Sequence, residues 1–247
     1  MFQNLFRNLS PVVKNLLIIN VLFFVAQFML PGLMDKLALY PISSEEFKPW
    51  QLATHFFMHS TAGLMHIFFN MFALVMFGSQ LERVWGPKKF LIYYFATAFG
   101  AAALHLLVGY LRIHNIESEL SSVELNQLLT EGFEYLRDGK NYVNPGMGEL
   151  NLSLFLLYNT PVLGASGAVF GLLAAYGYLF PNTELYLMFI PVPIKAKYFV
   201  MGYAAIELYS GIANNPGDNV AHFAHLGGAL VGIIMVLIWQ KQKNQFY

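Results

Sequence analysis

The chain has no cysteine and few charges: of its 247 residues, 14 are Lys or Arg and 14 are Asp or Glu. The first absence removes disulfides, thiolate metal sites and a cysteine nucleophile together, and leaves serine as the nucleophile to look for. The second excludes an ordinary soluble domain, in which about a quarter of residues are charged. Here 11% are charged, 57% are hydrophobic and the mean hydropathy is +0.51. Formal net charge is zero, so there is no electrostatic footprint for nucleic acid, which is not an expected partner. The lysines and arginines read as topology signals instead.

What the chain does have is long apolar runs. Stretches sufficient for a hydrocarbon core of about 30 Å occur near 12–30, 62–81, 89–111, 163–181, 197–213 and 220–239. The expected fold class is therefore all-α, a polytopic membrane helical bundle with six transmembrane helices forming a single domain over 1–247. The fifth run is the weakest, being short and carrying Glu207, while Leu185 to Ile194 is broken by Pro191 and Pro193 and suits an interfacial loop. The first run is too long for a signal h-region and no small-residue cleavage site follows it, so it reads as a retained span. Alternating six spans gathers Arg7, Lys14, Arg83, Lys88, Lys89, Lys195, Lys197, Lys241 and Lys243 on one side, which is then cytoplasmic together with both termini. An external insertion at about 112–150 separates spans three and four. It holds a helical pattern, with Ser121 and Glu124 at capping-box spacing, Leu125, Leu128, Leu129, Phe133 and Leu136 as an apolar stripe, and Gly139 as a stop. That pattern suits a surface helix lying on the membrane.

Two of the runs carry small residues beside polar ones: Gly164-Ala165-Ser166-Gly167-Ala168-Val169-Phe170-Gly171, and Ala224-His225-Leu226-Gly227-Gly228. Gly167 with Gly171, and Gly228 with Gly232, form small-xxx-small faces on which helix backbones close up. A serine hydroxyl is a weak nucleophile until a neighbouring base takes its proton, so Ser166 matters if His225 reaches it. Counted from the external end, Ser166 falls about one turn into span four and His225 about two turns into span six. Span two adds His66 and Asn70 at i and i+4, on one face and in the same outer layer. Four polar side chains at one depth imply a wet pocket. His222 sits one turn nearer the outside on nearly the same face as His225, and periodicity does not choose between them as the base.

At this point the residues resemble the rhomboid family of intramembrane serine proteases, in its bacterial six-span form. His66-Ile67-Phe68-Phe69-Asn70 is similar to the family's HxxxN motif, Gly164-Ala165-Ser166-Gly167 to its GxSG motif, and Ala224-His225 with Gly228 and Gly232 to its AHxxGxxxG motif. The resemblance implies an intramembrane serine endopeptidase that hydrolyses peptide bonds in or near transmembrane segments of membrane proteins. The mechanism it implies is a Ser166–His225 dyad with an acyl-enzyme intermediate, no third acidic member, no cofactor and no metal. His66, Asn70 and the backbone N–H of Ser166 take the oxyanion-hole roles, and His222 becomes a polar residue at the pocket rim. The implied setting is a bacterial inner (plasma) membrane, with the lipid bilayer and transmembrane protein substrates as partners; no oligomeric state is assigned. Two positions depart from the family pattern. Phe170 replaces a Tyr and keeps the ring that packs on His225, and Gln51 after Trp50 replaces an Arg that would anchor the loop at lipid headgroups. The segment Asn214 to Val220, with Pro216 and Gly217, suits a gate over the pocket or a plain turn. Glu207 reads as a structural acid facing the bundle, protonated or hydrogen-bonded, with no evident partner. Since His225 accepts a proton only when neutral, acid is expected to inhibit.

Three other readings compete. A metal-dependent hydrolase would use His55 and His59, at i and i+4, with His66, His222 and His225 nearby, but no HExxH occurs. A binding-only relative that recognises transmembrane helices would be marked by loss of the serine or the histidine, and both are present. A transporter would call for an inverted repeat, and none is visible.

Overall fold

The computed structural model describes residues 9–123, 125, 149–186, 192–213 and 221–244. The chain enters through α1 (Pro11–Met29), with Pro11 at the first helical position, where a missing N–H costs nothing. The next two N–H groups would lack intrahelical acceptors. Val12 and Val13 instead donate to Oε1 and Oε2 of Glu82, each at 2.9 Å. Glu82 is a buried acid in an apolar neighbourhood, and the charge-assisted bonds and positive end of the α1 dipole compensate its desolvation.

The loop after α1 carries α2 (Leu33–Leu37), α3 (Gln51–Thr54) and a 3-10 turn at His55–Phe57. Gln51 is fully buried and clasps this loop together. Its Oε1 accepts from the N–H groups of Tyr40 at 3.3 Å and Lys48 at 3.1 Å, and its Nε2 donates to the Glu46 carbonyl at 2.9 Å. The Gln51 side chain thus binds the loop's own backbone. Trp50 faces outward beside it, its Nε1 donating to the Lys36 carbonyl at 3.0 Å.

His55 and His59 are buried in the same loop. Burial pushes the pKa of each down to about 4, helped at His59 by the neighbouring His66 and opposed at His55 by its bond to the Gln51 carbonyl. The unfolded chain takes up protons near the ordinary value of 6.5 that the folded chain refuses. Stability supplied by the neutral rings is therefore full above about 6.5 and falls as pH drops towards about 4. The melting temperature in detergent is expected to decline across that window, and a flat profile would contradict this account.

Helix α4 (Met65–Ala73) passes through a π turn at Leu74–Gly78 into α5 (Ser79–Trp85), so the helical stretch lies a few residues further along than the expected 62–81. Helix α6 (Pro87–Glu119) likewise outruns the expected end at 111, and the first part of the expected insertion is helix. Most of the helical pattern expected between Ser121 and Gly139 lies outside the described residues, as does the segment Asn214 to Val220. Helix α7 (Glu149–Asn159) returns the chain and packs Leu154 and Phe155 on Ile113 of α6. A two-stranded ribbon, β1 (Glu184–Leu185) and β2 (Ile194–Lys195), joins α8 (Ser166–Leu179) to α9 (Ala196–Ala213), and α10 (His222–Asn244) closes the bundle.

Among the described residues, three helices are long and apolar enough to cross a membrane: α1, α6 and the His222–Gln242 part of α10. Six were expected, and three among the described residues meet both criteria. The 14 residues of α8 span only about 21 Å, short of a hydrocarbon core of about 30 Å. This helix is the central post instead, buried at every residue from Gly167 to Gly177. Glycines set how closely its neighbours approach. A Cβ on Gly171 would lie 2.5 Å from Thr97 Cβ of α6, one on Gly167 would overlap Ala101, and one on Gly232 would overlap the Tyr93 hydroxyl.

Candidate active site

Ser166 is the first residue of α8, where backbone N–H groups lack intrahelical acceptors. The turn that delivers it has Gly164 at φ +118°, a conformation L side chains rarely adopt, and the Gly164 N–H donates to the His55 carbonyl at 3.0 Å. A Cβ added there would lie 2.9 Å from His66 Nε2 and 3.7 Å from Ser166 Oγ. The missing side chain is thus the space in which serine and histidine converge. His66 Nδ1 accepts from the Ser60 N–H at 3.2 Å, which leaves the hydrogen of the neutral ring on Nε2, facing that space. One turn along α4, Asn70 is buried; its Nδ2 donates to the His66 carbonyl at 2.8 Å and carries a second hydrogen.

His225 Nε2 lies 2.9 Å from Ser166 Oγ. The helix starts are displaced from the hydropathy boundaries: Ser166 begins α8, and His225 is one turn, not two, into α10. The Phe170 ring stacks on His225 with centroids 4.2 Å apart and planes 7° from parallel.

Glu207 is the buried, hydrogen-bonded acid expected, and the partners that the sequence did not identify are two: its Oε2 accepts from His222 Nδ1 at 2.7 Å and from His225 Nδ1 at 2.8 Å. The serine–histidine pair therefore has an acidic neighbour after all, and His222, which lines the cavity, is also tied to the carboxylate. The signal available in the sequence was the acid itself, since an ionisable group at membrane depth needs a partner.

Among the described residues, Glu207, His222 and His225 form the one group of three donors close enough for a metal ion, within 4.8 Å of one another. Zinc bound at about 2.0–2.2 Å in a tetrahedron holds its donors roughly 3.3–3.5 Å apart. The contacts here, 2.7 and 2.8 Å, are those of hydrogen bonds. His55 and His59 stay outside the group, with their Nδ1 atoms on the carbonyls of Gln51 at 2.7 Å and Phe57 at 3.3 Å.

Ser166, His66, Asn70, Glu207, His222 and His225 open onto a cavity of about 960 Å³. Its walls are apolar, supplied by Phe69 and Phe72 of α4, Met76 of the π turn, and Phe199 and Tyr203 of α9. Such a lining suits a hydrophobic chain segment, with the polar groups placed to act on one point of it.

The fold and site define a helical membrane protein whose apolar-walled cavity holds a serine hydrogen-bonded to a histidine. The chain belongs to the rhomboid family: the Rhomboid domain model matches residues 46–114 and 125–242. It is 32% identical over 246 residues to RHOMBOID-like protein 12, mitochondrial, of Arabidopsis thaliana, covering 95% of this chain and 60% of that protein. It is 35% identical over 80 residues to Rhomboid protein 1, mitochondrial, of Saccharomyces cerevisiae, covering 30% of this chain and 21% of that protein. Rhomboid protease AarA of Providencia stuartii is 24% identical over 202 residues, 77% of this chain and 56% of its own length. The chain thus spans less than two thirds of the length of each of these relatives. Mitochondrial proteins are prominent among them, and the expected bacterial plasma membrane has no support; the apolar helices point to a membrane protein without naming the membrane.

Proposed function

We propose that the chain is an intramembrane serine endopeptidase, a bundle of six membrane-embedded helical passes that cuts peptide bonds in or near transmembrane segments of protein substrates. The observation that carries this reading is the 2.9 Å contact between Ser166 Oγ and His225 Nε2 in a chain of the rhomboid family. His225 removes the hydroxyl proton as Oγ attacks the substrate carbonyl, forming a C–O bond and a tetrahedral oxyanion. The oxyanion is held by the Ser166 N–H, His66 Nε2–H and the second Asn70 hydrogen; each such donor is worth roughly 3–4 kcal/mol when water is excluded. Collapse breaks the C–N bond, His225 gives its proton to the leaving amine, and water then releases the acyl group by the same steps. The apolar cavity supports a hydrophobic substrate segment, unwound at the cut because a continuous helix hides its carbonyls.

A fluorophosphonate probe with an alkyl tail tests the nucleophile directly. Purified protein in lipid is expected to lose cleavage of a fluorescent single-span substrate as the probe attaches, with the adduct mapped to Ser166 by mass spectrometry. Undiminished cleavage after complete labelling, or an adduct on another serine, would overturn the assignment. Labelling without cleavage of any single-span substrate would favour a binding role instead.

A further inference from the structure

We infer that Glu207 is the orienting carboxylate of a Ser166–His225–Glu207 relay, a third member that the two-residue mechanism lacks; the inference rests on the roles proposed above for Ser166 and His225. For His225 to take a proton on Nε2, its own hydrogen must sit on Nδ1. A hydrogen there needs an acceptor, and Glu207 Oε2 stands 2.8 Å away. The bond selects the tautomer that leaves Nε2 free for Ser166 and fixes rotation of the ring in its plane. The Phe170 stack fixes the plane itself.

The carboxylate also acts on charge. As Oγ attacks, His225 becomes a cation, and its bond to Glu207 changes from a neutral donor on an anion to an ion pair. Glu207 is 4% exposed, so little water screens the pair, and the interaction strengthens as the transition state develops. A structural acid on α9 would be satisfied by any one donor. Here a second imidazole, His222, holds the same oxygen that faces His225, at 2.7 Å, so that its direction is set before substrate arrives. The three members come from α8, α9 and α10, which makes the packing of α9 against α10 part of the catalytic geometry. Glu207 touches no reacting atom and acts through His225 as a positioning residue.

The test uses the full chain in lipid and compares wild type, Glu207→Gln and Glu207→Asp for kcat and KM on the single-span substrate and for the rate of Ser166 labelling by the fluorophosphonate. Glu207→Gln keeps the shape and loses the charge. Its kcat is expected to fall by at least about 100-fold with KM within about threefold, and labelling to slow in parallel. Glu207→Asp, which retains the charge on a shorter stem, should recover part of both rates. A kcat within about threefold of wild type in the Gln variant, or a change confined to KM, overturns the proposal. If Glu207→Gln melts lower, the labelling rate of its folded fraction, isolated by size exclusion, decides in the same way. Wild type that neither cleaves nor labels at Ser166 would defeat the protease reading itself, whereas active wild type with an equally active Gln variant defeats this inference alone.

Discussion

Ser166→Ala and His225→Ala are each expected to lower kcat by on the order of 10⁴–10⁶-fold, and the double variant to be no slower than the slower single one. The reason is that the two groups act as one unit. Without Ser166 there is no oxygen to attack, and His225 has no proton to take; without His225 the hydroxyl keeps its proton at neutral pH. Neither change should unfold the chain. Ser166 Oγ gives up one hydrogen bond; loss of the His225 ring also removes the Phe170 stack, but it opens space onto a cavity already about 960 Å³ in volume and leaves Glu207 bonded to His222. Melting temperatures within a few degrees of wild type are therefore expected alongside the kinetic loss. Multiplicative losses in the double variant, or residual cleavage in Ser166→Ala that serine-directed probes do not touch, would show that the two side chains do not share one step.

The same residues show which parts of the molecule could be read from the chain. His66 with Asn70 and Gly167 with Gly171 are spaced by one helical turn, and their grouping follows from helix geometry alone. Contacts between helices do not follow that way. Glu207 meets His222 and His225 across the α9–α10 junction, and Glu82 reaches the start of α1 from α5; each depends on how one helix slides and rotates against another. Hydropathy showed that Glu207 should face inward but could not say what it would face. Helix starts were misplaced for a related reason. Leu163 is as apolar as the helix that follows, yet Val162 just before it pairs with Leu39 in extended backbone and the turn at Gly164 intervenes before α8. Transfer energy depends on side chains, and both conformations bury the same ones. The clasp made by Gln51 was likewise not legible, because an amide's three bonds to backbone groups depend on the path of the loop around it.

Gly228→Val is expected to prevent assembly of the bundle, and Gly228→Ala to lower both melting temperature and kcat. A Cβ on Gly228 would overlap the Gly167 carbonyl oxygen and lie 2.7 Å from its carbonyl carbon. Both atoms are backbone, so no side-chain rotation relieves the clash, and α10 must move off α8. Overpacking against side chains costs about 1–3 kcal/mol; against a helix backbone, with two more methyl groups in valine, the cost should exceed that range. The displacement also reaches the site. Gly167 follows Ser166 directly, and Gly228 lies one turn beyond His225, so separating these glycines stretches the 2.9 Å contact between serine and histidine. The alanine variant should therefore lose more activity than its stability loss explains. Gly202→Ala is the matched control: a Cβ there meets nothing within 4 Å on α9, so kcat should not change and the melting temperature should not fall. Thermal melting in lipid with kcat measured well below the transition separates the two effects. A Gly228→Val protein that melts with wild type would mean that α8 and α10 do not pack through these glycines.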